Sequence, residues 1–152
     1  YEVTTKIEFS PELDYQQAGL LVYGDDDNYV RLTFGHIDGS RQFQLAKEVG
    51  GQVESVSQAA PGGDEFFLRL VRSGQDYDGY YSLNSSDWVH VGQYLDVSVV
   101  ASQIGLAAFN SWATTDEIPA DFDFFHFVPG SVIYLPMVYH NSGEAVHGNA
   151  DE

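Results

Sequence analysis

The chain opens on strict alternation. In YEVTTKIEFS (1–10), Tyr1, Val3, Thr5, Ile7 and Phe9 share one face, and Glu2, Thr4, Lys6 and Glu8 share the other. A period of two with one apolar face is the pattern of a half-buried strand. PELDYQ breaks it at Pro11, and QAGLLVYG (17–24) then runs apolar on both faces, as an inner strand does. GDDDN is a turn of the kind Asp and Asn favour. NYVRLTFG (28–35) alternates again, so 16–35 reads as a hairpin. Two further strands, 41–49 and 52–58, flank Gly50-Gly51, a pair able to take the positive φ values a tight hairpin needs. After APGGD (60–64), EFFLRLVR (65–72) and DYDGYYSL (76–83) form the next hairpin across Ser73-Gly74-Gln75. Short strands follow at 88–91, 94–100 and 103–109, and ADFDFFHFV (120–128) closes the series.

No segment carries a sustained helical period, and turn signals recur roughly every 8–12 residues. The expected class is all-β: a two-sheet antiparallel β-sandwich or jelly roll. The expected domain covers 1–128. From Pro129 to Glu152 the composition changes. An apolar run at 132–139 is interrupted by Pro136, which an edge strand tolerates and a central one does not. Beyond Asn141 the residues are small and polar, the composition of a disordered tail.

Composition narrows the functional classes. The 152 residues include 10 Tyr, 10 Phe and 2 Trp, enough for a real core. With no Cys there is no disulfide framework, thiolate zinc site or cysteine nucleophile. Asp and Glu number 23 against 6 Lys and Arg, for a formal net charge of −17. Nucleic acid binding needs cations to displace counterions from phosphates, and six dispersed ones build no such groove. An anionic membrane surface is disfavoured for the same reason, and no window reaches the ~18 apolar residues of a membrane-spanning helix. Neutral polymers, cations and basic partners remain. The chain begins without Met or a basic, apolar leader and reads as a mature product or an excised domain of extracellular origin.

Four segments, in this order and spacing, carry a resemblance: QAGLLVYGDDDNYVRL (17–32), FFLRLVRSGQDYDGYYSLNSSDWVHVG (66–92), IGLAAFNSW (104–112) and ADFDFFHF (120–127). Together they resemble the concanavalin A-like domain at the C-terminus of family 43 β-xylosidases and its free-standing relatives. The resemblance covers most of 1–128. It implies a lectin-like sandwich with an accessory, carbohydrate-related role beside a catalytic domain, whose five-bladed propeller 152 residues cannot also hold. It also implies a further strand before Tyr1, a place that the run 132–139 could fill.

Asp25, Asp27 and Asn28 lie in the densest oxygen cluster, with Asp26 between them. They are candidate ligands for one structural Ca²⁺, which takes roughly six to eight oxygens, although the spacing is not that of an EF-hand. The competing reading is a turn capped by its own side chains. Asp121 and Asp123 share a strand face about 6.5–7 Å apart, within the reach of a glycosidase pair. The structural alternative is an ion pair with Arg69 or Arg72 across the sheet. The aromatics point to carbohydrate, because a flat ring suits the apolar C–H face of a sugar. The candidates are Tyr29, Tyr77, Tyr80, Tyr81, Trp88 and Trp112. Tyr77 and Tyr81 share one face and Tyr80 takes the other, so one of the two faces must be core. Trp88 precedes alternating Val89, His90 and Val91 and reads as core. Trp112, in NSWATTDEIP, reads as the most exposed. None of the five His residues makes a metal-type pair.

Three functions fit. The first is a non-catalytic module holding a neutral plant-type polysaccharide such as xylan. The second is a sandwich that supports or docks a neighbouring catalytic domain. The third is a small glycoside hydrolase, which would need a carboxylate pair in a cleft.

Overall fold

The computed structural model describes residues 1–130. The apolar run expected over 132–139 and the tail beyond it lie outside the described residues. Ten strands form: β1 (Glu2–Phe9), β2 (Gln17–Asp25), β3 (Asn28–Ile37), β4 (Ser40–Val49), β5 (Gln52–Ala59), β6 (Glu65–Ser73), β7 (Asp76–Ser82), β8 (Val89–Tyr94), β9 (Gln103–Phe109) and β10 (Ala120–Val128). They make two antiparallel five-stranded sheets, β10-β1-β6-β7-β8 and β5-β4-β3-β2-β9, here sheets A and B. The expected all-β sandwich is the observed fold.

Alternation decides which side chains enter the interlayer. Val3, Ile7 and Phe9 of β1, Phe66, Leu68 and Leu70 of β6, and Tyr77 and Tyr81 of β7 come from sheet A. Ala18, Leu20 and Val22 of β2, Val30, Leu32 and Phe34 of β3, and Phe43 and Leu45 of β4 meet them from sheet B. At the centre, Phe34 packs on Phe66 with ring centroids 4.7 Å apart, and Phe43 meets Phe66 edge-on at 5.0 Å. Phe43 stacks on Tyr81 at 4.1 Å. Burying each such ring contributes roughly 1.5–3 kcal/mol.

One strand expectation fails. Residues 94–100 form no separate strand: β8 ends at Tyr94, and Asp96 turns the chain at φ 52°. Val97 and Val99 are nevertheless buried, and the Val97 N–H donates to Gln75 O at 2.9 Å. The alternation there reports a chain lying against the core, without a ladder partner.

Glycine marks places where the layers approach closely. Gly79 points inward on β7, and a Cβ there would stand 2.9 Å from Leu32 Cδ1 of the opposite sheet. At Gly50-Gly51, φ values of +58° and +76° close the β4–β5 hairpin as the sequence led us to expect. Gly79→Ala should destabilise by about 1–3 kcal/mol in urea unfolding, through overpacking. Adding Leu32→Val should cost less than its separate effect predicts, because the two substitutions share one contact. Additive costs would show that the layers are not in contact at this point.

Candidate functional site

The aromatic candidates divide between the core and three surfaces. Tyr77 has no exposed surface and Tyr81 is only 8 % exposed. Both face the interlayer by alternation, so neither can serve as a sugar platform, and burial pushes the Tyr77 phenol far above its ordinary range. Tyr80 takes the outer face of sheet A, where its ring lies 5.1 Å from that of His90. Trp88 is half-buried rather than core, and the Arg69 guanidinium lies over both rings, 4.3 Å from the Trp88 centroid and 5.0 Å from that of Tyr80. A cation–π pair of this kind occupies the ring face a sugar would use.

Trp112 is 85 % exposed. It shares a shallow cavity with Leu13, Tyr15 and Ser111 at one end of the sandwich. Two loops are pinned together there: Gln16 Nε2 donates to Asn110 Oδ1 at 3.2 Å, and Gln16 Oε1 accepts from the backbone N–H groups of Glu12 and Leu13. Beside them, Asp14 Oδ1 accepts the Gly39 N–H at 2.8 Å and lies 2.8 Å from His36 Nδ1. The Gly39 bond first, and His36 second, hold the Asp14 carboxyl below the usual carboxylate range.

The third surface is the outer face of sheet B. Register aligns Gly105, Leu21, Arg31, Ala46 and Ser55 across it, with Ala107, Gly19, Thr33, Gln44 and Ser57 in the next row. Phe109 and Gln17 pair at one end of the β2–β9 ladder, and Tyr23 pairs with Tyr29 near the other end of β2. Gln17, Thr33, Gln44 and Ala46 point away from the core yet are buried, so this face is recessed. Its floor is a polar relay. Thr33 Oγ1 donates to Gln17 Oε1 at 2.9 Å, Arg31 Nη2 to Gln44 Oε1 at 3.2 Å, and Gln44 Nε2 to Ser57 Oγ at 3.3 Å. The close floor depends on Gly19, because a Cβ there would strike the Leu32 carbonyl oxygen of β3. Above it, Leu21, Tyr23, Asp26, Tyr29, Arg31 and Phe109 line a cavity of about 170 Å³. A neighbouring cavity of about 530 Å³ continues past Leu21 and Tyr23 to β9. The Tyr29 phenol is raised by burial and by Glu48, and the Tyr23 phenol by its 2.6 Å hydrogen bond to Asp26 Oδ1. Both are therefore neutral hydroxyls at pH 7.

Of this surface the sequence singled out only Tyr29. Leu21, Tyr23, Arg31 and Phe109 were legible as off-core positions once the phase of each strand was known. The doubly apolar 17–24 segment was the available signal.

The acidic turn is built from its own side chains. Asp25 Oδ1 accepts from Asp27 N at 3.0 Å and Asn28 Nδ2 at 2.8 Å, while Asn28 Oδ1 accepts from Gly50 N at 3.0 Å. Among the described residues no three His, Cys, Asp or Glu side chains converge as a metal-holding group. Asp123 pairs with Lys6 at 2.9 Å, and Lys6 also reaches Glu65 at 3.2 Å. The partner is not Arg69 or Arg72, because β1 lies between β6 and β10.

Residues 1–128 match the model of the β-xylosidase C-terminal concanavalin A-like domain. The chain belongs to that family. Among curated relatives, it is 27% identical over 140 residues to a xylan 1,3-β-xylosidase of a Vibrio species, covering 83% of this chain and 26% of the relative. It is 29% identical over 148 residues to xylosidase/arabinosidase 43B of Humicola insolens, covering 84% of this chain and 28% of the relative. The chain thus spans about a quarter of the length of these relatives. A solved family 43 glycoside hydrolase from Bacillus licheniformis superposes with a TM-score of 0.74 at 25% identity, over 82% of this chain and 26% of that one. A functionally unknown protein from Saccharomyces cerevisiae shares the fold, with a TM-score of 0.64 at 17% identity over 85% of this chain and 70% of that one.

The Asp14 contacts give a pH prediction for this concanavalin A-like domain. A carboxyl whose pKa is lowered on folding stabilises above its unfolded value, near 3.8, and that stability is lost as pH falls through the folded value. Asp14→Ala should therefore melt below the wild type at pH 6, and the gap should close as the pH falls below 3.8 and through the lowered folded value. A gap that persists in acid would show that the carboxylate is not the stabilising group.

Proposed function

We propose that this domain is a non-catalytic, carbohydrate-binding accessory module of an extracellular polysaccharide-degrading system, holding a neutral xylan-type chain on the outer face of sheet B. The observation that carries the reading is the composition of that recessed face. Tyr23, Tyr29, Leu21 and Phe109 offer apolar surfaces for sugar C–H faces, above a floor of Gln, Thr and Ser that matches hydroxyls. The family and the xylosidase names of its relatives supply the polymer class. From Tyr23 to Gln17 the face runs six residues along β2, roughly 20 Å, long enough for an oligosaccharide rather than a single ring. Trp112, exposed at one end of the sandwich beside Leu13 and Tyr15, is a separate candidate platform.

A docking role beside a catalytic domain is the second reading. Phe125 and Phe127 take interlayer positions on β10, in register with Thr5 and Val3, yet are about two-fifths exposed, as is Leu106 on β9. These edge strands leave apolar surface open for a neighbouring domain.

Affinity electrophoresis in gels containing arabinoxylan, β-glucan or no polymer, each with calcium and with chelator, tests the first reading. Retardation by arabinoxylan is expected. Tyr29→Ala or Phe109→Ala should weaken it about three- to tenfold, the value of one aromatic contact. Trp88→Ala should leave it unchanged, because Trp88 leads into β8 of the opposite sheet. Absence of retardation in every gel would overturn the binding reading and leave the docking one. Loss of retardation with chelator would assign Ca²⁺ a role at the acidic turn.

A further inference from the structure

Arg31 is anomalous for this chain. Acidic residues outnumber Lys and Arg by 23 to 6. Lys6, Arg41, Lys47 and Arg69 each have a carboxylate within 4.0 Å. Among the described residues Arg31 and Arg72 have none. Arg72 Nε donates to the Gly74 carbonyl at 2.9 Å, whereas Arg31 Nη2 donates to a neutral amide, Gln44 Oε1, and Arg31 Nε is buried without an acceptor. The guanidinium sits among the rings that line the 170 Å³ cavity, 5.5 Å from the Phe109 centroid and 5.9 Å from that of Tyr29. Asp26 lines the same cavity with one oxygen bonded to the Tyr23 hydroxyl, and its carboxylate lies beyond 4.0 Å of the guanidinium. Ala46 and Leu21 pair with Arg31 on either side and supply no charge, and a Cβ at Gly105, beyond Leu21, would meet nothing within 4 Å.

A half-buried cation without a counter-ion carries a desolvation cost that the Gln44 bond and the two flanking rings offset without neutralising its charge. It is well suited to an anion that arrives with the ligand. Guanidinium matches carboxylate through two parallel N–H···O bonds, and such charge-assisted bonds are about twice as strong as neutral ones. Flanking rings select a carboxylate carried on a flat, partly apolar ring over a free anion. We propose that the Arg31 cavity is a subsite for a uronic acid, so that the module prefers a xylan bearing glucuronate side groups to the unsubstituted polymer. This inference rests on the saccharide-binding reading of the sheet B face and adds to it the charge of the ligand. The overall charge of −17 opposes an acidic polymer at long range, but at 0.15 M salt that repulsion is screened beyond about 8 Å while the contact at Arg31 is not.

The test uses the full chain at 0.15 M NaCl in gels of glucuronoxylan, the same polymer after reduction of its carboxyl groups to alcohols, and neutral arabinoxylan. We expect about tenfold tighter binding to glucuronoxylan than to its reduced form, the worth of one charged hydrogen-bonded pair. Arg31→Gln should lower glucuronoxylan binding to the level of the reduced polymer, with a cooperative melt. Arg31→Lys, which keeps the charge and loses the fork, should retain only part of the preference. Sodium acetate matched to the polymer's carboxylate concentration should not compete. Equal binding of native and reduced polymer, a preference that survives Arg31→Gln, or displacement by acetate would each overturn the uronate subsite while leaving the neutral module intact. Failure to bind any of the three polymers would overturn both.

Discussion

The aromatic stack between the sheets, Phe34 and Phe43 of one against Phe66 and Tyr81 of the other, is the contact on which the remaining geometry depends. It fixes the phase of four strands at once. With Phe34 inward, Thr33, Arg31 and Tyr29 must point outward, and with Phe43 inward, Gln44 and Ala46 must do the same. A slip of one residue in β3 would bury the guanidinium and expose three core side chains. The composition of the outer face is therefore a consequence of how the interior packs.

That face departs from the usual division of a sandwich strand into an apolar inner side and a solvated outer one. Thr33, Gln17 and Gln44 point outward but are buried; Thr33 bonds Gln17, and Gln44 bonds Arg31 and Ser57. Side chains with buried, mutually oriented hydrogen-bonding groups lose little freedom when a ligand settles over them. On sheet A the outer aromatics are already committed, with Arg69 spanning Trp88 and Tyr80. The two faces therefore differ less in aromatic content than in how closely a cation covers the rings, because Arg31 stands 5.5 and 5.9 Å from the Phe109 and Tyr29 centroids.

Most of the fold was legible because alternation and turn chemistry agree along the chain. The hairpin at Gly50-Gly51 and the strands at 2–9 and 120–128 follow directly from them. The 94–100 segment was misread because a buried edge and a ladder-bonded strand show the same alternation, and only Asp96 and its positive φ separate them. The site was legible in part. Periodicity placed Tyr77 with Tyr81 and opposite Tyr80, but could not say which face was core. Aromatic type drew notice to Tyr29, whereas Arg31 looked like any solvated cation until the partners it lacks could be seen.

The central claim is that sugar meets the outer face of sheet B. An amide-resolved NMR titration of the ¹⁵N-labelled chain with a neutral xylo-oligosaccharide addresses it most directly. Shifts concentrated at Leu21, Tyr23, Tyr29, Arg31 and Phe109, with Tyr80, Trp88 and His90 unmoved, are the predicted result. Shifts centred on sheet A, or none at saturating sugar, would contradict the account.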